Sequence, residues 1–242
     1  MPAGALAQDI ALLGHRATYE LRLQGRATGS GIDSAHGFLA VEIRETCGSW
    51  DVAQAISLMV ARQESQVTTS SQFESREAKD GGWYRFEDRS RLDPGGLEVS
   101  SGQASASPDT AGHVRVDEPA VEEAVLPAGT LFPTAHLVSL LRRALAGERL
   151  TNDLLFDGTE GTVIYDVSTL VGPVATDSAS GLRVWPMRLA FFIHGGGAEL
   201  PELEISVRLR EDGVAEELSY DYGSFVLGAA LQSLEPLPPP DC

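Results

Sequence analysis

Residues 203–221 read "LEISVRLREDGVAEELSYD". Leu203, Ile205, Val207 and Leu209 alternate with Glu204, Ser206, Arg208 and Arg210. A period of two puts one face of an extended strand in a core and the other in water. Asp212-Gly213 follows as a turn signal, and a second arm runs back from it. The stretch is a β-hairpin, and it sets the key in which the rest of the chain is read.

Working outward, "HRATYELRL" (15–23) repeats the pattern, with Ala17, Tyr19, Leu21 and Leu23 on one face. "GFLAVEIR" continues it through Leu39, Val41 and Ile43. "VAQAISLMVAR" reads as a strand, or by its apolar spacing as a short helix, and "ESQVTTSSQFES" reads as a strand. Residues 79–82, "KDGG", are a turn ahead of "WYRFED". "GHVRVDEP", "AVEEAVLP" and "GTVIYDV" give further short extended pieces. In "RVWPMRLAFFIH" the internal Pro186 points to an edge or a bulge, because proline cannot donate to a ladder.

One segment breaks the pattern: "LPAGTLFPTAHLVSLLRRALAGE", residues 126–148. Leu137, Leu140, Leu141, Ala144 and Leu145 recur at helical spacing. Pro133 forbids an early start, Thr134 is the expected N-cap and Gly147 the stop, which gives a helix over about 135–146. A single apolar stripe needs a single partner, and the partner on offer is a sheet. No repeat and no break in composition divides the chain. The expectation is one domain, mostly β: a long, strongly curved antiparallel sheet with the helix packed on it or plugging it.

The totals narrow the function. The chain has 242 residues, 43% of them hydrophobic, enough for a substantial core without staples. No apolar run approaches the ~18 residues of a membrane span. Eighteen Lys plus Arg stand against 35 Asp plus Glu, a formal net charge of -17. That field repels nucleic acid and anionic membrane surfaces.

Catalytic patterns do not assemble. "IHGGGA" (193–198) looks like an esterase oxyanion loop, but no G-x-S-x-G elbow accompanies it, and it reads as a glycine-rich turn. His15, His36, His113, His136 and His194 form no metal-ligand pair. His136 lies in the first helical turn, where capping or packing is the expected role; a hydrolase would need it to meet a serine and an aspartate in a cleft. Gly29-Ser30-Gly31 leads to no βαβ unit and binds no dinucleotide. No cofactor pattern is present. Phe132, Trp185 and Phe191, with Leu137, Leu141 and Leu145, either line an apolar cavity inside the curved sheet or form ordinary core.

Cys47 and Cys242 are the two cysteines, outside any CxxC motif. Left free, the terminal thiol would be a liability. Bonded, it would pin a Pro-rich strap (235–242) to the body. At the other end, Ala5-Leu6-Ala7 before Gln8 fits a cleavage pattern with no charged or apolar region ahead of it. Residues 1–8 are therefore expected to be a signal-peptide remnant or a disordered start, and 9–242 the domain.

Taken in order, these segments resemble a known family. "HRATYELRL", "GFLAVEIRETCGSW", "DGGWYRFED", "LPAGTLFPTAHLVSLLRRALAGE", "LLFDGTEG", "WPMRLAFF", "LEISVRLREDGVAEELSYDYGSFVL" and a terminal cysteine behind prolines are similar to the EipB family of periplasmic cell-envelope integrity proteins. Phe-Pro-Thr-x-His and the Cys47/Cys242 pair are the most specific parts. The resemblance implies a β-spiral, an open barrel around the helix, similar in shape to the lipoprotein carriers LolA and LolB. It implies a Cys47–Cys242 disulfide, a periplasmic location and support of the Gram-negative envelope without catalysis. The partner would be a lipid, a lipoprotein chain or an envelope protein. It brings no catalytic residues.

Overall fold

The computed structural model describes residues 10–62 and 65–242; the expected signal remnant over 1–8 lies outside the described residues. From the N-terminus come β1 (His15–Arg26), β2 (Ile32–Glu45), β3 (Ser49–Arg62), β4 (Ser65–Ala78), β5 (Trp83–Asp93), β6 (Leu97–Ser105), β7 (Gly112–Glu118) and β8 (Glu122–Leu126). Helix α1 (Pro133–Ala146) follows. Then come β9 (Leu150–Leu155), β10 (Tyr165–Val171), β11 (Ala175–Thr176), β12 (Arg183–Ile193), β13 (Leu203–Arg210), β14 (Ala215–Asp221) and β15 (Phe225–Pro236).

All fifteen strands share one antiparallel sheet, in the order β8 through β1, then β15, β14, β13, β12, β10 and β9, with β11 beside β12. Most neighbours in sequence pair in the sheet; β8 and β9 do not, β11 pairs only β12, and the first and last strands pair in the middle, where His15 faces Pro236 and Leu21 faces Ala229. The two open edges, β8 and β9, are therefore consecutive along the chain and joined through α1.

This topology forces the curl. Laid flat, fourteen strands along that path would hold the edges about 62 Å apart at a ~4.8 Å spacing. Yet Leu131, five residues beyond β8, forms a parallel bridge with Leu155 of β9. Its N–H donates to the Leu154 carbonyl at 2.8 Å, and its carbonyl accepts from Phe156 at 3.0 Å. Five residues reach about 17 Å at most. The ribbon thus winds almost fully round, and one bridge from the connecting segment stands where a β8–β9 ladder would close it. The expected open, curled barrel is the observed architecture.

Three apolar clusters fill the inside. Beneath the helix, Leu140, Leu141 and Ala144 meet Trp185, Met187 and Phe191. Tyr19, Leu21, Leu39, Leu58 and Leu227 pack where the terminal strands join. Tyr84, Phe86, Phe132 and Phe156 form an aromatic cluster at the seam between the sheet's ends. Burying Leu141 alone contributes about 1.5–3 kcal/mol.

Three sequence expectations need adjustment. Residues 52–62, ambiguous between strand and helix, are strand, because both neighbours offer full ladders. The helix starts at Pro133, earlier than expected: proline occupies N1, where its missing N–H is no loss. Thr134 is consequently inside the helix, and the capping residue is Phe132, whose side chain makes no cap hydrogen bond. Gly147 does end the helix, in the left-handed region at φ 85°. Pro186 lies within β12 opposite the break between β10 and β11, and its carbonyl accepts from Gly172 at 2.7 Å. The missing N–H falls at that gap, as the ladder rule demands.

Candidate functional site

With no side-chain cap of its own, the helix takes one from the sheet. Glu77 is the penultimate residue of β4, on the inward side of a strand that otherwise carries Phe73 and Ser75 there. Its carboxylate accepts the N–H of Thr134 and of Ala135, each at 2.7 Å. Only 2% of Glu77 is exposed. Burial raises its pKa, and the two backbone donors pull the other way. The α1 N-terminus carries no acidic residue in its first turn, so Glu77 also supplies the negative charge its dipole favours.

In the same first turn, His136 is 5% exposed. Its Nε2 lies 3.7 Å from Asp153 Oδ2 and has no hydrogen-bond partner among the described residues. Asp153, on β9, is held instead by Arg143, at 2.9 and 3.2 Å. Burial pushes the His136 pKa down to about 4, against the pull of Asp153. The histidine is thus brought to an aspartate, but to one already paired with an arginine beneath the helix. The second motif, His194, bonds Asp166 at 2.9 Å on the surface, and Gly195 takes φ 73° in the turn that follows. Among the described residues no group of three His, Cys, Asp or Glu is arranged to hold a metal ion.

Cys47 and Cys242 are bonded, with Cα atoms 5.8 Å apart. The geometry follows from the register. Pro236 of β15 faces His15 of β1, which faces Ile43 of β2, so three strand ends line up where Cys47 begins the turn into β3. Leu237 then donates its N–H to the Gly14 carbonyl at 2.7 Å, and the proline run crosses those strand ends to the sulfur. The strap covers roughly two strand spacings, about 10 Å.

The six apolar residues singled out in the sequence do not share one place. Leu141, Trp185 and Phe191 are buried together, with Leu137 and Leu145 packed against them. Phe132 belongs to the separate aromatic cluster, 5.1 Å from the Tyr84 ring. A hollow inside the curl lies elsewhere: about 150 Å³ between β2–β4 and β14–β15, lined by Leu39, Ile56, Phe73, Tyr220, Tyr222 and Leu227, with Gln54 and Ser71. Roomier hollows of about 690 and 530 Å³ are lined by residues from the other side of the sheet, on β1–β6 and on β10–β14. Sequence reading missed Glu77, Arg143 and Asp153. No alternation marked them: Asp153 shares its side of β9 with Thr151 and Leu155, and Glu77 its side of β4 with Ser71, Phe73 and Ser75, which are mixed rather than apolar faces.

Comparison with known proteins agrees with this architecture. The EipB-like family profile matches residues 6–238. Over 251 aligned residues the chain is 26% identical to the cell envelope integrity protein EipB of Brucella abortus (strain 2308), covering 96% of this chain and 87% of that protein. The crystal structure of a β-barrel-like protein from Brucella abortus superposes with a TM-score of 0.86 at 26% identity, over 95% of this chain and all of that one. Profile, end-to-end alignment and curled sheet converge, and the chain belongs to the EipB-like family.

Proposed function

We propose that this chain is a non-enzymatic periplasmic protein that supports the integrity of the Gram-negative cell envelope. The carrying observation is its end-to-end likeness to an envelope integrity protein from Brucella abortus. The Cys47–Cys242 disulfide supports the compartment, because such bonds persist where the surroundings are oxidising. No helix among the described residues is long and apolar enough to cross a membrane. The burial of His136 under the helix, with Asp153 committed to Arg143, supports a structural role for the residues that most resemble catalytic ones.

Two modes of action fit a curled sheet: holding an apolar ligand, such as a lipid or lipoprotein chain, or docking a partner protein. The inner hollow of about 150 Å³ is well below the roughly 300–1,000 Å³ of small-molecule sites. This favours engagement on the outer face or at a sheet edge over carriage inside. The test is deletion of the gene followed by complementation under detergent stress. The exported chain restores resistance and a form retained in the cytosol does not; rescue by the cytosolic form rejects the periplasmic reading. Lipid extracted from the purified, oxidised protein separates the two modes.

A further inference from the structure

Side chains facing outward on β1–β6 fall in rows set by the register. One row runs Thr18, Ala40, Ala55, Gln72, Arg89. The next runs Phe38, Ser57, Ser70, Arg91, Leu97. Ala40, Ala55, Ser57 and Ser70 make a low floor on β2–β4, with Phe38 rising on one side and Gln72, Arg89, Arg91 and Leu97 on the other. The result is the hollow of about 690 Å³. From β2 to β6 it spans four strand spacings, about 19 Å.

Its chemistry is one-sided. Phe38 and Leu97, 65% and 56% exposed, are apolar surfaces left in water. Both arginines of the lining, Arg89 and Arg91, come from β5, and among the described residues no carboxylate lines the hollow, in a protein of net charge -17. Arg89 is engaged by Glu87, while Arg91 makes no ion pair among the described residues. Glu20, beside Phe38, is engaged by Arg22. By contrast, the hollow that adjoins it on the same face, sharing Thr18, Ala40, Ala55 and Gln72, is lined by Glu42 and Glu74 as well as Arg16. Cationic side chains without a carboxylate beside them in the lining, and a floor of small uncharged residues leading to an exposed Phe38, belong to this groove alone of the two.

We infer that this outer groove binds a single-chain anionic amphiphile, its head group on Arg91 and Arg89 and its aliphatic tail crossing Ser70 and lying over Ser57 and Ala55 toward Phe38. An extended peptide is the other occupant to weigh. It would have to leave its own backbone groups unpaired against the face, because the N–H and C=O groups of these interior strands are already spent on their ladders. An alkyl chain carries no such groups. The site rests on the groove itself and does not depend on the envelope reading.

The experiment titrates the oxidised full chain with dodecanoate by calorimetry, against dodecyltrimethylammonium and an acidic peptide. Saturable binding of dodecanoate, and weaker or absent binding of the cation, are expected. Ala55→Trp, or Ser57→Trp should the first variant not fold, fills the floor and weakens binding about tenfold or more. Arg91→Glu weakens dodecanoate by about threefold to tenfold, as for a partly exposed ion pair replaced by repulsion, without weakening the cation. Phe73→Trp, which fills the inner hollow, leaves binding unchanged. The proposal is overturned if dodecanoate shows no saturable binding, if the cation binds equally well, or if Phe73→Trp blocks binding while the outer variants do not. It also falls if the acidic peptide binds and dodecanoate does not. Complementation that survives loss of this binding would leave the envelope reading standing without the groove.

Discussion

The carboxylate of Glu77 accepts the N–H of Thr134 at 2.7 Å, across 57 residues of sequence. A β-strand thereby caps α1, and the helix cannot shift along its axis without abandoning two hydrogen bonds to a buried acid. Replacing Glu77 by Ala strands two buried donors and is expected to destabilise the fold by about 2–4 kcal/mol. Glu77→Gln keeps one good acceptor and should cost about half as much. Chemical denaturation with both variants measures the difference; equal, sub-kcal effects would show that the cap is dispensable.

The same acid has a pH signature. Its folded pKa lies above the ordinary value of 4.5, so the folded state binds its proton more readily than the unfolded chain does. The stability it contributes is full below 4.5 and declines as pH rises through the raised folded value. Glu77→Gln should flatten that part of the stability–pH curve. An unchanged curve would count against the desolvated carboxyl.

His136 acts in the opposite sense. Its pKa falls from 6.5 unfolded to about 4 folded, so its contribution is full above 6.5 and is lost as pH falls toward 4. The total is on the order of 3 kcal/mol, and His136→Asn should remove the slope in that window. Arg143 helps to hold the His136 pKa down, so Arg143→Met is expected to move its titration upward. An NMR titration of the imidazole reads this directly; no movement would mean that Arg143 does not act on it.

The disulfide closes a loop of 195 residues, for which chain entropy sets an upper bound of about 5 kcal/mol. Reduction of the native protein and Cys242→Ser should lower the thermal midpoint by the same amount. Added reductant should leave Cys242→Ser unaffected. A midpoint that ignores reductant in the native chain would remove the strap from the list of stabilising features.

At the seam between the sheet's ends, Gly158 takes φ 77°, and a Cβ there would lie 2.5 Å from the Phe86 ring. Tyr84 donates its hydroxyl to the Asp157 carbonyl beside it at 2.9 Å. Gly158→Ala combines backbone strain with overpacking and should destabilise by about 2–4 kcal/mol. Tyr84→Phe should cost about 1 kcal/mol. If both are silent in denaturant melts, the seam does not hold the curl.

The sequence by itself determined the elements. Strict alternation in Leu203, Ile205, Val207 and Leu209, the Asp212-Gly213 turn and the leucine stripe of the helix are local patterns, and local patterns survive reading one residue at a time. It also carried the family likeness and, through it, the pairing of Cys47 with Cys242. The tertiary structure alone decided how the helix begins and what lies under it. Thr134 has the chemistry of an N-cap, yet Phe132 holds that place and Glu77 does the bonding, because a carboxylate on a neighbouring strand is equally able to satisfy the free N–H groups. Long-range partners such as Arg143 with Asp153, and an outer groove assembled from six strands, leave no periodic trace in the chain. They exist only once the register has placed distant residues in the same row.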